Sequence, residues 1–493
     1  VNVGTFPARR AALSPLALAV VDGDRRITFA ELAMRCARTA QGLHRRGVTR
    51  GGRVGALLPN SLEWIETFFG AALLGAVVVP LNWRLSADEL DAICGHAGVA
   101  HLVYAPGLGP AERLAASGTG WISVPAGAVA SDAQTGRIEP QGGDDDPLLI
   151  IYTSGTTGRP KGAVHTHRTW YWAAATVGAS ADARPGDHAL VVAPMYHVGG
   201  LVMTTLHAQR GIATVCLRAF DPAVMLRVIH EERVAHFLCV PTMLNVIRGH
   251  EAFGAADLSS VRWCYSVGAP TPAETIRDFH GRGLPVQLAY GLTETGGPAT
   301  VVPAHAVLTK MGSVGVPFFH TDVRVAAAGG GFAAAGETGE VLIRAPHVIS
   351  GYWHNPEASA DAIRDGWLHT GDVGRMDEDG FLYLVDRKHD MIISGGENIY
   401  PTEIERALIE HADVADAVVV GLPDQRWGEI VCAAVQTKQG RAIDSEALVA
   451  YCRTRLAGYK IPRRIVFVDA IPRNATGKAM RRELRRQLEE PNA

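Results

Sequence analysis

Cysteine is sparse and unpatterned in this chain. Its seven copies, Cys36, Cys94, Cys216, Cys239, Cys264, Cys432 and Cys452, are odd in number and scattered, with no Cys-x-x-Cys pair. That excludes a disulfide framework and a thiolate metal site, and it fits small apolar side chains buried in a reducing compartment. An excess of basic residues is also lacking. Lys and Arg number 47 against 50 Asp and Glu, a net charge of −3, which argues against a nucleic-acid binder. No apolar run is long enough to span a bilayer. The most apolar stretch, residues 68–81, is broken by Gly70, Gly75 and Pro80 and reads as a buried helix running into a buried strand. Arg9 and Arg10 precede only a short apolar patch without a signal-type cleavage pattern, so the expectation is a cytoplasmic protein.

What is present is a long chain with an ordinary globular balance. At 493 residues and 47% apolar content, two or more domains are expected. Thr28 can cap a helix over residues 27–48 whose Leu32, Cys36, Ala40 and Leu43 share one face. A strand at 54–58, a helix at 62–74 and a strand at 77–81 follow, and this alternation predicts a layered α/β region. Residues 107–146, rich in Gly, Ala and Asp, read as a variable surface segment. From Val323 onward, short alternating runs at 323–325, 339–344 and 380–385 predict antiparallel strands. The charged stretch 386–390 reads as a linker. Beyond it, helices at 401–410 and 445–455 and strands at 414–420 and 430–436 predict a compact α+β domain.

The most informative segment is Ile151-Tyr-Thr-Ser-Gly-Thr-Thr-Gly-Arg-Pro-Lys-Gly162. An apolar strand at 148–151 leads into a loop of hydroxyls and glycines. Such a loop can bring backbone N–H groups and side-chain donors close to an anion, and Lys161 adds a compact positive charge. The chemistry suits a polyphosphate, but the spacing is not that of a Walker A loop.

Four further segments accompany it: Tyr290-Gly-Leu-Thr-Glu294, Trp367-Leu-His-Thr-Gly-Asp372, Asp386-Arg387 with Ser394-Gly-Gly-Glu-Asn-Ile-Tyr-Pro401, and Pro472-Arg-Asn-Ala-Thr-Gly-Lys478. In this order, the five resemble the adenylate-forming superfamily of acyl-CoA synthetases, luciferases and peptide-synthetase adenylation domains. The likeness is greatest to short bacterial fatty-acyl-CoA synthetases. It implies a large N-terminal domain of stacked α/β layers plus a β-barrel, residues 1–386, and a small mobile α+β C-terminal domain, residues 387–493.

The resemblance also implies roles. Thr153, Ser154, Gly155, Thr156, Thr157, Gly158 and Lys161 would hold the β,γ-phosphates of ATP. Tyr290, followed by Gly291, would stack on adenine beside Gly268, Ala269 and Pro270. Thr293 would bind the α-phosphate and Glu294 would bind Mg2+. Asp372 and Arg387 would reach the ribose. Lys478 would bridge the acyl carboxylate and the α-phosphate. His389 falls at the hinge, where relatives carry Asp or Lys, and Gly395 and Gly396 would line the tunnel for CoA. The implied partners are small molecules: a carboxylic acid, ATP and CoA. A surface patch could still touch a membrane, since the acids may be lipids.

Pro194-Met-Tyr-His-Val-Gly-Gly-Leu201 resembles the segment whose histidine, His197, gates the acyl site. Gly199, Gly200, Met203, Val240 and Gly296 would complete an apolar channel. No partner set supports a metal at His165, His167 or His197. Plant hydroxycinnamate ligases carry a tyrosine where Gly199 lies, so hydroxycinnamates are not expected. The amino-acid signature near Asp187 is absent. The expected acid is a medium or long fatty acid, with an aryl acid as the alternative, because the glycines leave room for either. An acyl-AMP ligase loading a carrier protein would carry an inserted segment in the large domain, and none is read. A non-catalytic sensor would be favoured by loss of Lys478 or Glu294, and both are present.

Overall fold

The computed structural model describes residues 1–116, 122–129, 138–153, 161–387, 390–394, 397–424, 427–441, 443–456, 458–473 and 479–489. The chain is a mixed α/β protein with a large N-terminal and a small C-terminal domain. By contact it divides into one unit of Val1–Val323 with Ile343–His369 and a second of Arg324–Leu342 with Thr370–Ala493. Contact thus groups residues 324–342 and 370–386 with the C-terminal part, upstream of the 386/387 boundary expected for a moving domain.

The local expectations have clear physical counterparts. Thr28 caps the helix Phe29–Arg45 through a reciprocal capping box with Glu31. Leu32, Cys36, Ala40 and Leu43 are all buried along its inner face, where each leucine contributes roughly 2 kcal/mol over exposure. The strand Arg53–Leu57, the helix Leu62–Leu73 and the strand Val77–Pro80 follow as anticipated. Residues 107–146 differ from expectation. They include the helix Gly109–Ala116 and the strand Ile122–Pro125, which pairs in parallel with His101–Tyr104. Four residues at a sheet edge leave too short a pattern to read. All seven cysteines are free and buried.

Two sheets build the first unit. A seven-stranded sheet contains Pro147–Thr153 and Lys161–Thr166, an antiparallel pair in which Thr153 faces Lys161. A nine-stranded sheet contains His188–Val191, His236–Cys239, Trp263–Ser266 and Val286–Leu292 as four adjacent parallel strands. Their carboxyl ends therefore point the same way. In open α/β sheets, ligands sit beyond those ends.

In the second unit, Leu382–Arg387 pairs antiparallel with the Trp367–Met376 strand. The expected linker at 386–390 is thus strand as far as Arg387, because Asp386 and Arg387 continue the ladder opposite Val373 and Asp372. Leu382–Arg387 and Trp367–Met376 belong to a five-stranded sheet with Asp322–Val325, Thr338–Arg344 and Ile363–Arg364. A separate five-stranded sheet, with Val414–Asp424 and Gly428–Thr437 at its centre, packs against the helix Pro401–Ile409.

Candidate active site

The four parallel strands place most of the expected residues of the first unit. His188–Val191 leads to His197, His236–Cys239 to Val240, Trp263–Ser266 to Gly268, Ala269 and Pro270, and Val286–Leu292 through Tyr290 and Gly291 to Thr293 and Glu294. Segments far apart in the chain, from His197 to Glu294, thus follow the carboxyl ends of four adjacent strands. Tyr290 is buried, whereas Gly268, Ala269, Pro270 and Gly291 are exposed. Gly268 has φ +88°, a left-handed turn that keeps this segment free of a Cβ penalty.

Thr293 and Glu294 sit in a single 3-10 turn, Thr293–Thr295, pinned from several sides. Nε2 of His165 donates to the Thr293 carbonyl at 2.8 Å, while Nδ1 of His165 lies 3.3 Å from the Thr169 hydroxyl. Nδ1 of His347 donates to the Thr295 carbonyl at 2.7 Å, and its Nε2 meets Thr321 Oγ1 at 3.0 Å. Burial holds both imidazoles neutral, each with its pKa lowered to about 4. These histidines are scaffold for the turn. His167 plays a comparable part elsewhere, accepting at Nδ1 from the Val3 N–H at 3.1 Å.

At the expected phosphate site, Thr153 and Lys161 stand opposite each other in the antiparallel pair Pro147–Thr153 and Lys161–Thr166. Ser154, Gly155, Thr156, Thr157 and Gly158 lie outside the described residues. The segment Gly351–Tyr352 is laid antiparallel along Lys161–Thr166. The fit requires Gly162, since a Cβ there would lie 2.6 Å from Ile150 and 3.3 Å from Trp353. Tyr352 donates its hydroxyl hydrogen to Glu294 Oε1 at 2.8 Å, and the Lys161 ammonium lies 5.3 Å from the centre of its ring. Sequence reasoning missed Tyr352; its only signal was an aromatic directly after a glycine in an otherwise irregular stretch.

Near the expected acyl site, His197 precedes the helix Val198–Arg210. Its Nε2 is buried without a hydrogen-bond partner among the described residues. Burial, helped by the charge of Arg84, lowers its pKa to about 4, so it is neutral at pH 7. The glycines do not leave the room expected of them. A Cβ on Gly200 would strike the Pro194 carbonyl at 2.5 Å, and one on Gly296 would lie 3.0 Å from Ala173 and 3.1 Å from His165. Those missing side chains serve packing. Gly199 approaches Leu238, and Met203 is buried in the core of the first unit.

In the second unit, Asp372 is buried and lies opposite Arg387 across the strand pair. His389, Gly395, Gly396 and Lys478 lie outside the described residues, as does the Arg387 side chain.

A metal ion fits the first-unit cluster chemically. Tyr352 donates one hydrogen bond to Oε1 of Glu294, which leaves the carboxylate acceptor capacity for a hard cation. Mg2+ commonly takes one protein carboxylate together with substrate phosphates.

The AMP-binding enzyme family matches residues 7–353, and the AMP-binding enzyme C-terminal domain matches residues 403–478. The chain belongs to the AMP-binding enzyme family. It is 43% identical over 490 residues to a feruloyl-CoA synthase of Amycolatopsis sp, covering 99% of both chains. It is 39% identical over 498 residues to the long-chain-fatty-acid–CoA ligase FadD13 of Mycobacterium tuberculosis, covering 99% of this chain and 98% of the other. The structure of o-succinylbenzoate CoA synthetase from Bacillus subtilis in complex with ATP and magnesium ion superposes with a TM-score of 0.90 at 30% identity, covering 97% of this chain and 99% of that one. The protein is therefore an adenylate-forming enzyme, an AMP-forming acyl-CoA ligase that uses ATP. Among its described residues no helix is long and apolar enough to cross a membrane.

Proposed function

We propose that the enzyme activates a hydrophobic monocarboxylic acid as its acyl-adenylate and passes the acyl group to CoA. A carboxylate oxygen bonds to the α-phosphorus of ATP as the bond to pyrophosphate breaks. The CoA sulfur then bonds to the acyl carbon as the bond to AMP breaks and the thiol proton leaves. Two anions meet in the first step, so catalysis needs positive charge around the phosphates. Lys161 and Thr153 flank the phosphate loop, Thr293 faces the α-phosphate, and Lys478 approaches with the C-terminal domain. Glu294 would hold Mg2+, which supplies further charge neutralisation when bound. The small domain turns about a pivot near 386/387, with His389 at the hinge and Gly395 and Gly396 beside the entering CoA.

The observation that carries the choice of acid is the neutral, buried His197 at the head of an apolar helix, with Leu238 and Val240 on the neighbouring strand end. Such walls favour methylenes or an aromatic ring and penalise a second charge. A fatty acid and an aryl acid both suit them. The lack of a tyrosine at Gly199 counts against hydroxycinnamates, whereas the likeness to a feruloyl-CoA synthase supports including ferulate among the candidate acids. The deciding experiment is CoA-thioester formation measured across acetate, octanoate, palmitate, benzoate, ferulate and malonate at fixed ATP. Efficient use of octanoate, palmitate or ferulate with poor use of malonate is expected, and preference for malonate would overturn the hydrophobic-acid reading.

A further inference from the structure

Tyr352 stands between two groups that the reaction brings together at the phosphates, and it comes from a segment with no other evident task. Its backbone position is fixed three ways. Gly351 and Tyr352 pair with Val164 and Ala163, the Trp353 N–H donates to the Gly162 carbonyl at 2.7 Å, and the Tyr352 N–H donates to Ser359 Oγ at 2.8 Å. The Ile349 N–H in turn donates to the Glu294 carbonyl at 2.9 Å, so the same strap holds Glu294 by its backbone. The phenol, protonated at neutral pH, donates toward the Glu294 carboxylate, which can only accept. Its ring face is at the same time within reach of the Lys161 ammonium.

We propose that Tyr352 is a positioning residue for adenylation: its hydroxyl orients the Glu294 carboxylate toward the metal–phosphate group, and its ring holds Lys161 beside the phosphate loop. The inference rests on the roles given above to Glu294 and Lys161. The arrangement has a physical advantage. A carboxylate aimed by one neutral donor keeps its full charge and its other lone pairs for a cation, whereas an arginine partner would neutralise it. A cation held over a ring face gives up little of its charge and can turn to a phosphate when one arrives.

The test separates hydroxyl from ring and strap from both. Tyr352→Phe keeps the ring, Tyr352→Leu removes it, and Ser359→Ala loosens the strap while leaving the phenol. Mn2+ serves as a spectroscopic probe, and its binding with ATP is followed by electron paramagnetic resonance alongside the Mg2+ dependence of pyrophosphate release. Tyr352→Phe should weaken metal binding in the ternary complex about tenfold and leave the KM for the acid unchanged. Tyr352→Leu should add a several-fold rise in the KM for ATP at saturating metal. Ser359→Ala should stay within about twofold of wild type for metal. Thermal melting checks that each variant is folded. Wild-type metal binding in Tyr352→Phe, or an equal shift in Ser359→Ala, would overturn the proposal. Glu294→Gln reports on the underlying reading separately. If it keeps normal metal binding, the assignment of Glu294 fails whatever Tyr352 does. If it loses metal binding while Tyr352→Phe does not, only the positioning role fails.

Discussion

His165 and Thr293 lie 128 positions apart in the chain and are joined by one hydrogen bond of 2.8 Å, from imidazole Nε2 to a backbone carbonyl. The bond ties the first residue of the turn Thr293–Thr295 to the strand Lys161–Thr166. Replacing His165 with Ala should therefore leave a buried carbonyl without its donor and open a cavity against Trp170, at a cost of about 2–4 kcal/mol. Urea unfolding measures this. The same variant should lose adenylation more than tenfold under conditions where it remains folded. An unchanged denaturation midpoint would show that the bond carries no load.

The buried histidines make stability depend on pH. His165, His167, His197 and His347 each have a pKa lowered to about 4, with burial the leading cause. In the unfolded chain they titrate near the ordinary value of about 6.5. The unfolded state therefore binds more protons between these values, and stability rises with pH across that window. It is complete above about pH 6.5 and lost progressively as pH falls toward 4. Melting curves from pH 7.5 to 4.5 should show a steep fall in Tm below pH 6.5. A flat profile would mean that these imidazoles accept protons in the folded state.

Gly296 follows the turn with φ +63° and has no space for a Cβ. Gly296→Ala should destabilise by about 1–3 kcal/mol through backbone strain and the clash with Ala173 and His165. Because the turn itself must shift, the KM for ATP should rise as well. Stability and ATP affinity both within error of wild type would refute the close approach.

Lys478→Ala should separate the half-reactions. On the proposed mechanism its charge would be needed where the carboxylate meets the α-phosphate and would be carried away as the small domain turns. Acyl-AMP formation from ATP should fall by several orders of magnitude, while supplied acyl-AMP is still converted to thioester. Formation of acyl-AMP at a near wild-type rate would remove the lysine from the site.

All seven thiols should be silent in the native enzyme. All seven are buried, and burial raises the pKa of Cys36, Cys94, Cys216, Cys264, Cys432 and Cys452, Cys94 to about 12, so a reagent finds little access and little thiolate at pH 8. A chromogenic disulfide reagent should titrate none at once in buffer and seven in guanidinium. Rapid native reaction of any thiol would contradict the packing.

The sequence by itself determined the chemistry and much of the local structure. A hydroxyl- and glycine-rich loop closed by Lys161, a Thr-Glu pair after Tyr290, and a capped amphipathic helix from Thr28 are local patterns, and each is legible because its physical reason lies within a few residues. Tertiary structure decided what depends on neighbours far along the chain. The missing Cβ of Gly200 and Gly296 looks like pocket space in sequence, yet it is filled by the Pro194 carbonyl in one case and by Ala173 and His165 in the other. Asp386 and Arg387 look like a linker because they are charged, yet pairing with Val373 and Asp372 makes them strand. Tyr352 carries no pattern of its own. It gains a role only because a two-residue strand lies along Lys161–Thr166, where a backbone ladder, and no sequence spacing, sets a phenol between a lysine and a glutamate.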